Sequence, residues 1–465
     1  QAKRVCFYCL HKLWLALALV LVLLAVAITV LRYSLPYADN YRHQIEQLIS
    51  ERYNANVRIG SLSAGWQRFG PALLLNDIRL YDSADELQLH IEVTEVRLDF
   101  WRSLLGRQLK ARHFQLSGLR YYVAADSLLA ADDDNSLDAA PVLDALENLF
   151  FQQLNYFSVL DSQLIVQNHG SPDLTIHIKQ LDWTNSANRH QGYGDLALAG
   201  VTANTVSFIL DLHGDTLDSS TGQLYLESDE LDVLPWFRTL LPPSQKLEQA
   251  SINFKAWGQV DKGLLQRIQV DLANNSLSWH RGDTAHSLQL GPGQLLWQPA
   301  ADGWVVHSGP LTLSDQQQQW HGLEFQLQRN EQQWLGQVNN FSLNAITPLA
   351  NLLADDISIL QQLVAYQPAG NVQQLQWRFA DQQWQLQGRL DNVSSVAQGD
   401  IPGVSNMRGD FIATPTLARI QLDSLGGELS WDGLFSDAIA YDVLSARILL
   451  HKEAENWQLS IPSLS

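Results

Sequence analysis

A chain of 465 residues that is 46% hydrophobic, 17% charged and formally −19 in net charge has apolar material for a large core, and its length allows about three domains. The acidic balance excludes binding to a nucleic-acid backbone, which needs a basic surface. It equally excludes adhesion to anionic headgroups by overall charge.

Leu13 to Leu31, LWLALALVLVLLAVAITVL, carries no charge, and Thr29 is its only polar side chain. As a helix it reaches about 28 Å, close to the roughly 30 Å hydrocarbon core of a bilayer. It exceeds a signal-peptide core of about 7–15 residues, and RYSLPYADNY after it offers no small-x-small cleavage site. Residues 13–31 therefore read as a retained transmembrane helix. Lys3, Arg4 and Lys12 precede it without an acidic residue, whereas Arg32 and Arg42 are diluted by Asp39 and Glu46. The positive-inside rule makes residues 1–12 a cytoplasmic basic tail and sends the rest across the membrane. Cys6 and Cys9, the only cysteines, both precede the span, so the exported part cannot misform disulfides. Their CxxC spacing lacks a thioredoxin-like context or a second pair, and no redox or metal role is read from it.

Pro36 closes the helical region. Asp39 is placed to cap a second helix, YRHQIEQLISERY, whose Tyr41, Ile45, Leu48, Ile49 and Tyr53 recur at helical spacing and pack on the following sheet. From Val57 the period changes to 2: VRIGSL, LLLNDIRLYD, LQLHIEVTEVRLDF, KARHFQLSG and LRYYVAA read as strands, with a short helical turn at Phe100–Gly106. Residues 126–140, with Asp132, Asp133 and Asp134, read as an acidic linker; they lack the spacing of a calcium loop. Pro141 opens a helix. Strands then recur to the end, interrupted by helical LDVLPWFRTLLP and AITPLANLLADDISILQQLV, which suggests repeated β-meanders over 141–465 with boundaries near 140, 245 and 370. Gln1 in place of Met, and a final WQLSIPSLS that reads as an unfinished strand, lead to the expectation of a longer protein.

The strands alternate consistently. Val206, Phe208, Leu210 and Leu212 oppose Ser207, Ile209 and Asp211; Leu277 and Trp279 oppose Ser276 and Ser278; Leu323, Phe325 and Leu327 oppose Glu324 and Gln326; Trp384 and Leu386 oppose Gln385 and Gln387. One apolar and one polar face mark an antiparallel sheet with a solvated side. A closed sandwich would bury the apolar face on a second sheet. Strands continuing this long with scarce helical cover favour instead a long sheet curled on itself, leaving a trough with an apolar floor. The expected fold is mainly β: a transmembrane helix, then a curled antiparallel sheet with a few short helices.

Leu35-Pro36, the amphipathic helix, Val57-Arg-Ile-Gly60, Leu62-Ser-Ala-Gly-Trp66-Gln-Arg-Phe-Gly70-Pro71, Leu75-Asn-Asp77-Ile78 and Phe100-Trp101-Arg-Ser103-Leu104-Leu105 resemble the N-terminal signature of the AsmA-like family over roughly residues 1–125. Residues 36–125 would be that family's N-terminal module, with Pro36, Gly60, Trp66, Gly70 and Pro71 as structural signature positions. The resemblance implies a bridge-like lipid carrier of a Gram-negative envelope. It would be anchored in the inner membrane by residues 13–31, mostly periplasmic, with phospholipids as partners and outer-membrane or periplasmic proteins reached through a missing C-terminal part. Val206, Phe208, Leu210, Leu212, Leu277, Trp279, Leu323, Phe325, Leu327, Trp384 and Leu386 become the candidates for lining its lipid groove. It implies no enzyme, cofactor, metal or nucleic acid.

The residues themselves offer little competing chemistry. No Walker A, HExxH, GxSxG or dinucleotide fingerprint occurs, and the thirteen histidines are scattered. A scaffold with a closed β core is the second reading, and a polysaccharide-acting enzyme the weakest.

Overall fold

A computed structural model describes residues 2–53, 56–67, 70–81, 85–98, 111–124, 151, 154–167, 174–198, 205–216, 218–234, 246–281, 283–300, 302–330, 332–345, 347–348, 350, 364–380, 383–399, 401–431, 435–453 and 456–465. The expected linker 126–140, the turn at Phe100–Gly106 and most of the three expected helices after Pro141 lie outside these residues. The protein is mainly β, with 25 strands assigned to one sheet. It forms two compact units, Gln1–Ala199 with Ser207–Ser220, and Gly200–Val206 with Thr221–Ser465.

The first unit opens with α1 (Ala2–Ser34), a 3-10 turn (Leu35–Tyr41) and α2 (Arg42–Tyr53). Helix α1 stops two residues before Pro36, whose ring disfavours the helical conformation in the residue before it. Among its described apolar side chains Leu17, Leu21 and Val22 are 52%, 56% and 59% exposed. This is a helix long and apolar enough to cross a membrane. Strands β1 (Asn56–Gln67), β2 (Gly70–Tyr81), β3 (Leu87–Leu98), β4 (Ala111–Ala124), β5 (Tyr156–Gln167), β6 (Leu174–Ser186) and β7 (Arg189–Leu198) follow, then β8 (Val206–His213). Each of β1 to β7 pairs antiparallel with its neighbour except β4 with β5, which run parallel. The long connection between those two strands allows the crossover that a parallel pair needs.

Asp39 does not cap α2. Its carboxylate accepts from the Leu62 N–H at 2.9 Å, Glu46 accepts from the Ile59 N–H at 2.8 Å, and Arg42 Nη1 donates to the Gly60 carbonyl at 2.6 Å. These three side chains occupy backbone groups of β1 on its side away from β2, a way of blunting a sheet edge that would otherwise template foreign strands. Burial opposes ionisation of Glu46, but the Ile59 N–H, His43 and Arg42 outweigh it and hold the carboxyl below its ordinary value. A carboxylate depressed in this way stabilises the fold above its unfolded pKa and ceases to do so as pH falls through the lower folded value. The clasp is therefore expected to be intact above pH 4.5 and to loosen below it. Faster hydrogen exchange across β1 would report the opening, and Glu46→Gln should flatten its pH dependence.

A line of irregular positions crosses the strands. Gly60, Asp77, Glu92 and Gly118 occupy successive gaps in the ladders, continued by Asp161 and Lys179. Asp77, Gly118 and Asp161 have φ of 56°, 66° and 46°. At Gly118 a side chain would suffer both the left-handed backbone and a Cβ 2.6 Å from the Glu92 carboxyl. The cross-strand register is kept across the gaps from Gly60 to Asp161, so the left-handed residues turn the alternation over without a slip between strands. On the apolar face of this unit Leu62, Leu75, Thr94, Leu116, Val159 and Leu181 stand opposite one another in turn. Leu62, Thr94, Leu116 and Val159 retain 5% exposure or less. Leu75 and Leu181 in the same row are half-buried.

The second unit contains β9 (Thr221–Asp232), β10 (Lys246–Asp261), β11 (Leu264–Leu272), β12 (Asn275–Arg281), β13 (Thr284–Leu290), β14 (Gly293–Ala300), β15 (Gly303–Ser308), β16 (Leu311–Ser314), β17 (Gln319–Leu323), β18 (Phe325–Asn330), β19 (Gln333–Ser342), β20 (Ala369–Ala380), β21 (Gln383–Ser395), β22 (Gly403–Ala413), β23 (Leu417–Ser430), β24 (Ile439–Glu453) and β25 (Asn456–Leu464). A second seam breaks these strands in register. The C-terminal half of β10 pairs with β11 and its N-terminal half with β12. Asn253 sits at the break, donating Nδ2 to the Asn274 carbonyl while its Oδ1 accepts from the Glu230 N–H. Gly291-Pro292 and Gly309-Pro310 make the corresponding breaks between β13 and β14 and between β15 and β16. Proline cannot donate to a ladder, which confines it to such places.

The seam divides the apolar face of this unit into two halves. On one side Leu231, Leu247, Ala250, Trp279, Leu311 and Leu313 are buried. On the other, Leu226, Phe254, Val270, Leu295, Phe325 and Leu327 remain only half-buried.

Candidate functional site

The half-buried side of the second unit is continuous. Leu224, Gly258, Ile268, Trp297, Val306, Leu327, Gly336, Trp377, Leu386, Ala413, Ala418, Leu450 and Leu459 are direct cross-strand partners in turn, from β9 to β25. No member is polar. Period-2 alternation puts one residue of each strand on this row, and register aligns them. Gly336 has a packing reason: a Cβ there would overlap the Trp377 indole, which lies across it from the next strand. Solvent still reaches the neighbouring row, where Trp334 is 37%, Phe379 50% and Trp384 37% exposed. A face sealed by a second sheet would not leave large aromatics this open.

The reverse of the same strands is polar. His307, Gln326, Gln337, Gln376 and Gln387 form the corresponding row. Gln387 Nε2 donates to Gln376 Oε1 at 2.7 Å, and Gln376 Nε2 to Gln337 Oε1 at 3.4 Å. These amides satisfy one another and need no apolar cover.

The sequence-predicted positions divide between these environments. Phe325, Leu327 and Leu386 lie on the half-buried apolar face, and Trp384 stands at its margin opposite Phe379. Leu277 and Trp279 lie beyond the seam, where Trp279 (0% exposed) and Leu247 form a buried cluster against which Leu234, Leu277 and Leu288 pack. Leu323 stands opposite Leu311, itself 2% exposed. In β8 the predicted alternation is present: Val206 and Leu212 are 9% and 3% exposed, whereas Ile209 is 55%. Phe208 and Leu210 are half-buried. Of the signature residues, Pro36 sits in the 3-10 turn, Gly60 opens the seam of the first unit, and Trp66 faces Pro71 beside the Gln67–Gly70 pair that closes the first hairpin. Trp297, Trp304, Trp334 and Trp377 join this face without standing among the sequence-predicted positions. Their alignment depends on register, which one strand's sequence does not reveal.

Polar clusters elsewhere are structural in form. Tyr156 donates to the buried Asp182 at 2.6 Å, and this hydrogen bond, with burial, pushes the phenol up to about 12. Among the described residues no group of three or more His, Cys, Asp or Glu side chains could hold a metal ion.

Comparison with known proteins places the chain. The family model described as YhdP protein matches residues 3–465. A curated protein of Escherichia coli strain K12, the intermembrane phospholipid transporter YhdP, is 26% identical over 443 residues, covering 87% of this chain and 34% of that protein. The chain thus spans about a third of the length of that relative. No solved structure matches. With an apolar N-terminal helix, a many-stranded sheet of one apolar and one polar face, and a family match along nearly its whole length, the chain belongs to the YhdP family.

Proposed function

We propose that this chain carries phospholipid by covering its acyl chains on the half-open apolar face of the second unit. The observation that carries the reading is the uninterrupted apolar row from Leu224 to Leu459, half-exposed and backed by a polar row. Each CH₂ moved out of water gains about 0.8 kcal/mol, so exposing one chain of about sixteen carbons costs roughly 12 kcal/mol. A face that stays apolar from strand to strand lets a chain slide without paying that cost at any step, and no covalent chemistry is involved. The name of the Escherichia coli relative supports the same cargo. Helix α1 would anchor the protein in the inner membrane, the basic tail inside and the sheet in the periplasm.

Lipid analysis of the full chain, purified in amphipol and examined by native mass spectrometry, tests this. Bound phospholipid is expected in stoichiometric amount. A folded protein that carries no lipid would favour the scaffold reading instead.

A further inference from the structure

One row of the open face differs from the others. Pro299, Trp304, Arg329, Trp334, Phe379 and Trp384 are successive cross-strand partners on β14, β15, β18, β19, β20 and β21. They lie beside the hairpin turns at one end of these strands, where the apolar face meets water. The Arg329 guanidinium sits 4.6 Å from the centre of the Trp334 ring. Trp304 meets the same indole edge-on at 5.6 Å. Arg329 is the only charged member of the row. Its described contact is the face of the Trp334 ring, and among the described residues no ion pair joins it to a carboxylate.

Indole rings favour the boundary between apolar and aqueous surroundings. A guanidinium held flat by stacking keeps its N–H donors pointing outward, in the fork that matches two phosphate oxygens. Acyl chains lying along Trp297, Val306 and Leu327 would bring a lipid phosphate to this margin. We propose that Arg329, framed by Trp304 and Trp334, binds the phosphodiester headgroup of a phospholipid whose chains occupy the adjoining rows. This rests on the lipid reading above and adds a site to it.

The test offers the lipid-depleted full chain phosphatidylglycerol or diacylglycerol with the same acyl chains, and measures retained lipid by native mass spectrometry. The wild type is expected to prefer phosphatidylglycerol by about tenfold, the value of one hydrogen bond to a charged group. Arg329→Gln should abolish the preference while leaving diacylglycerol binding unchanged, and Arg329→Lys should restore part of it. Arg378→Gln, on the opposite face, should change nothing. Undiminished preference in Arg329→Gln would overturn the site but leave the apolar face as the lipid carrier. Failure of the wild type to bind either lipid would remove both. Excess soluble glycerophosphate should leave phosphatidylglycerol bound; displacement would assign Arg329 to a free phosphate and contradict the headgroup proposal.

Discussion

Phe325→Asp is expected to reduce phospholipid co-purifying with the chain to background while the protein still folds. Phe325 is half-buried, and its backbone is held independently of its ring, by the Ser308 hydroxyl accepting from its N–H at 2.7 Å and by pairing with Val338. Because Phe325 is half-buried and not sealed, the new carboxylate is expected to keep part of its hydration in the empty protein. The expected cost in stability is about 1–3 kcal/mol, the common range for a point substitution. An acyl chain laid over it would have to desolvate that charge, which is far more expensive. Circular dichroism with lipid extraction separates the two effects. A lipid content equal to wild type would show that the chains lie elsewhere.

Trp279→Ala is expected to do the opposite, destabilising the protein without acting on lipid directly. Trp279 retains 0% exposure and stacks on His286 with ring centres 5.5 Å apart. Removing a fully buried indole leaves a cavity worth about 3–5 kcal/mol. In a unit of this size that lowers the melting temperature by about 2–4 °C per kcal/mol. The indole N–H finds no acceptor among the described residues, so Trp279→Phe, which removes that donor, should cost much less than Trp279→Ala. Equal losses in the two variants, followed by thermal denaturation, would contradict this account of the packed half.

The two tryptophans Trp279 and Trp384 show what could and could not be read beforehand. Both alternate with polar neighbours, which is why sequence alone assigns both to the same kind of face. Their environments differ because the seam passes between the halves of β10, and Asn253 and Gly291-Pro292 mark it in sequence only as ordinary turn-formers or polar residues. In the first unit the seam consists of single left-handed residues, Asp77, Gly118 and Asp161, inside strands whose alternation merely slips by one. The long apolar helix was legible because charge-free length is a local property. Asp39 was misread as a helix cap because its partner, the Leu62 N–H, is on another element. Arg329 went unnoticed for the same reason: its aromatic neighbours come from β15 and β19.

Photo-cross-linking at successive positions of β18 tests the central claim most directly. A benzoylphenylalanine placed in turn at Phe325, Gln326, Leu327 and Gln328, in cells labelled with radioactive phosphate, reads which face meets lipid. Adducts carrying labelled phospholipid are expected at Phe325 and Leu327, whose side chains share the apolar face, and not at Gln326 and Gln328 on the reverse. Equal adducts at all four positions, or none at Phe325 and Leu327, would contradict a lipid path on that face.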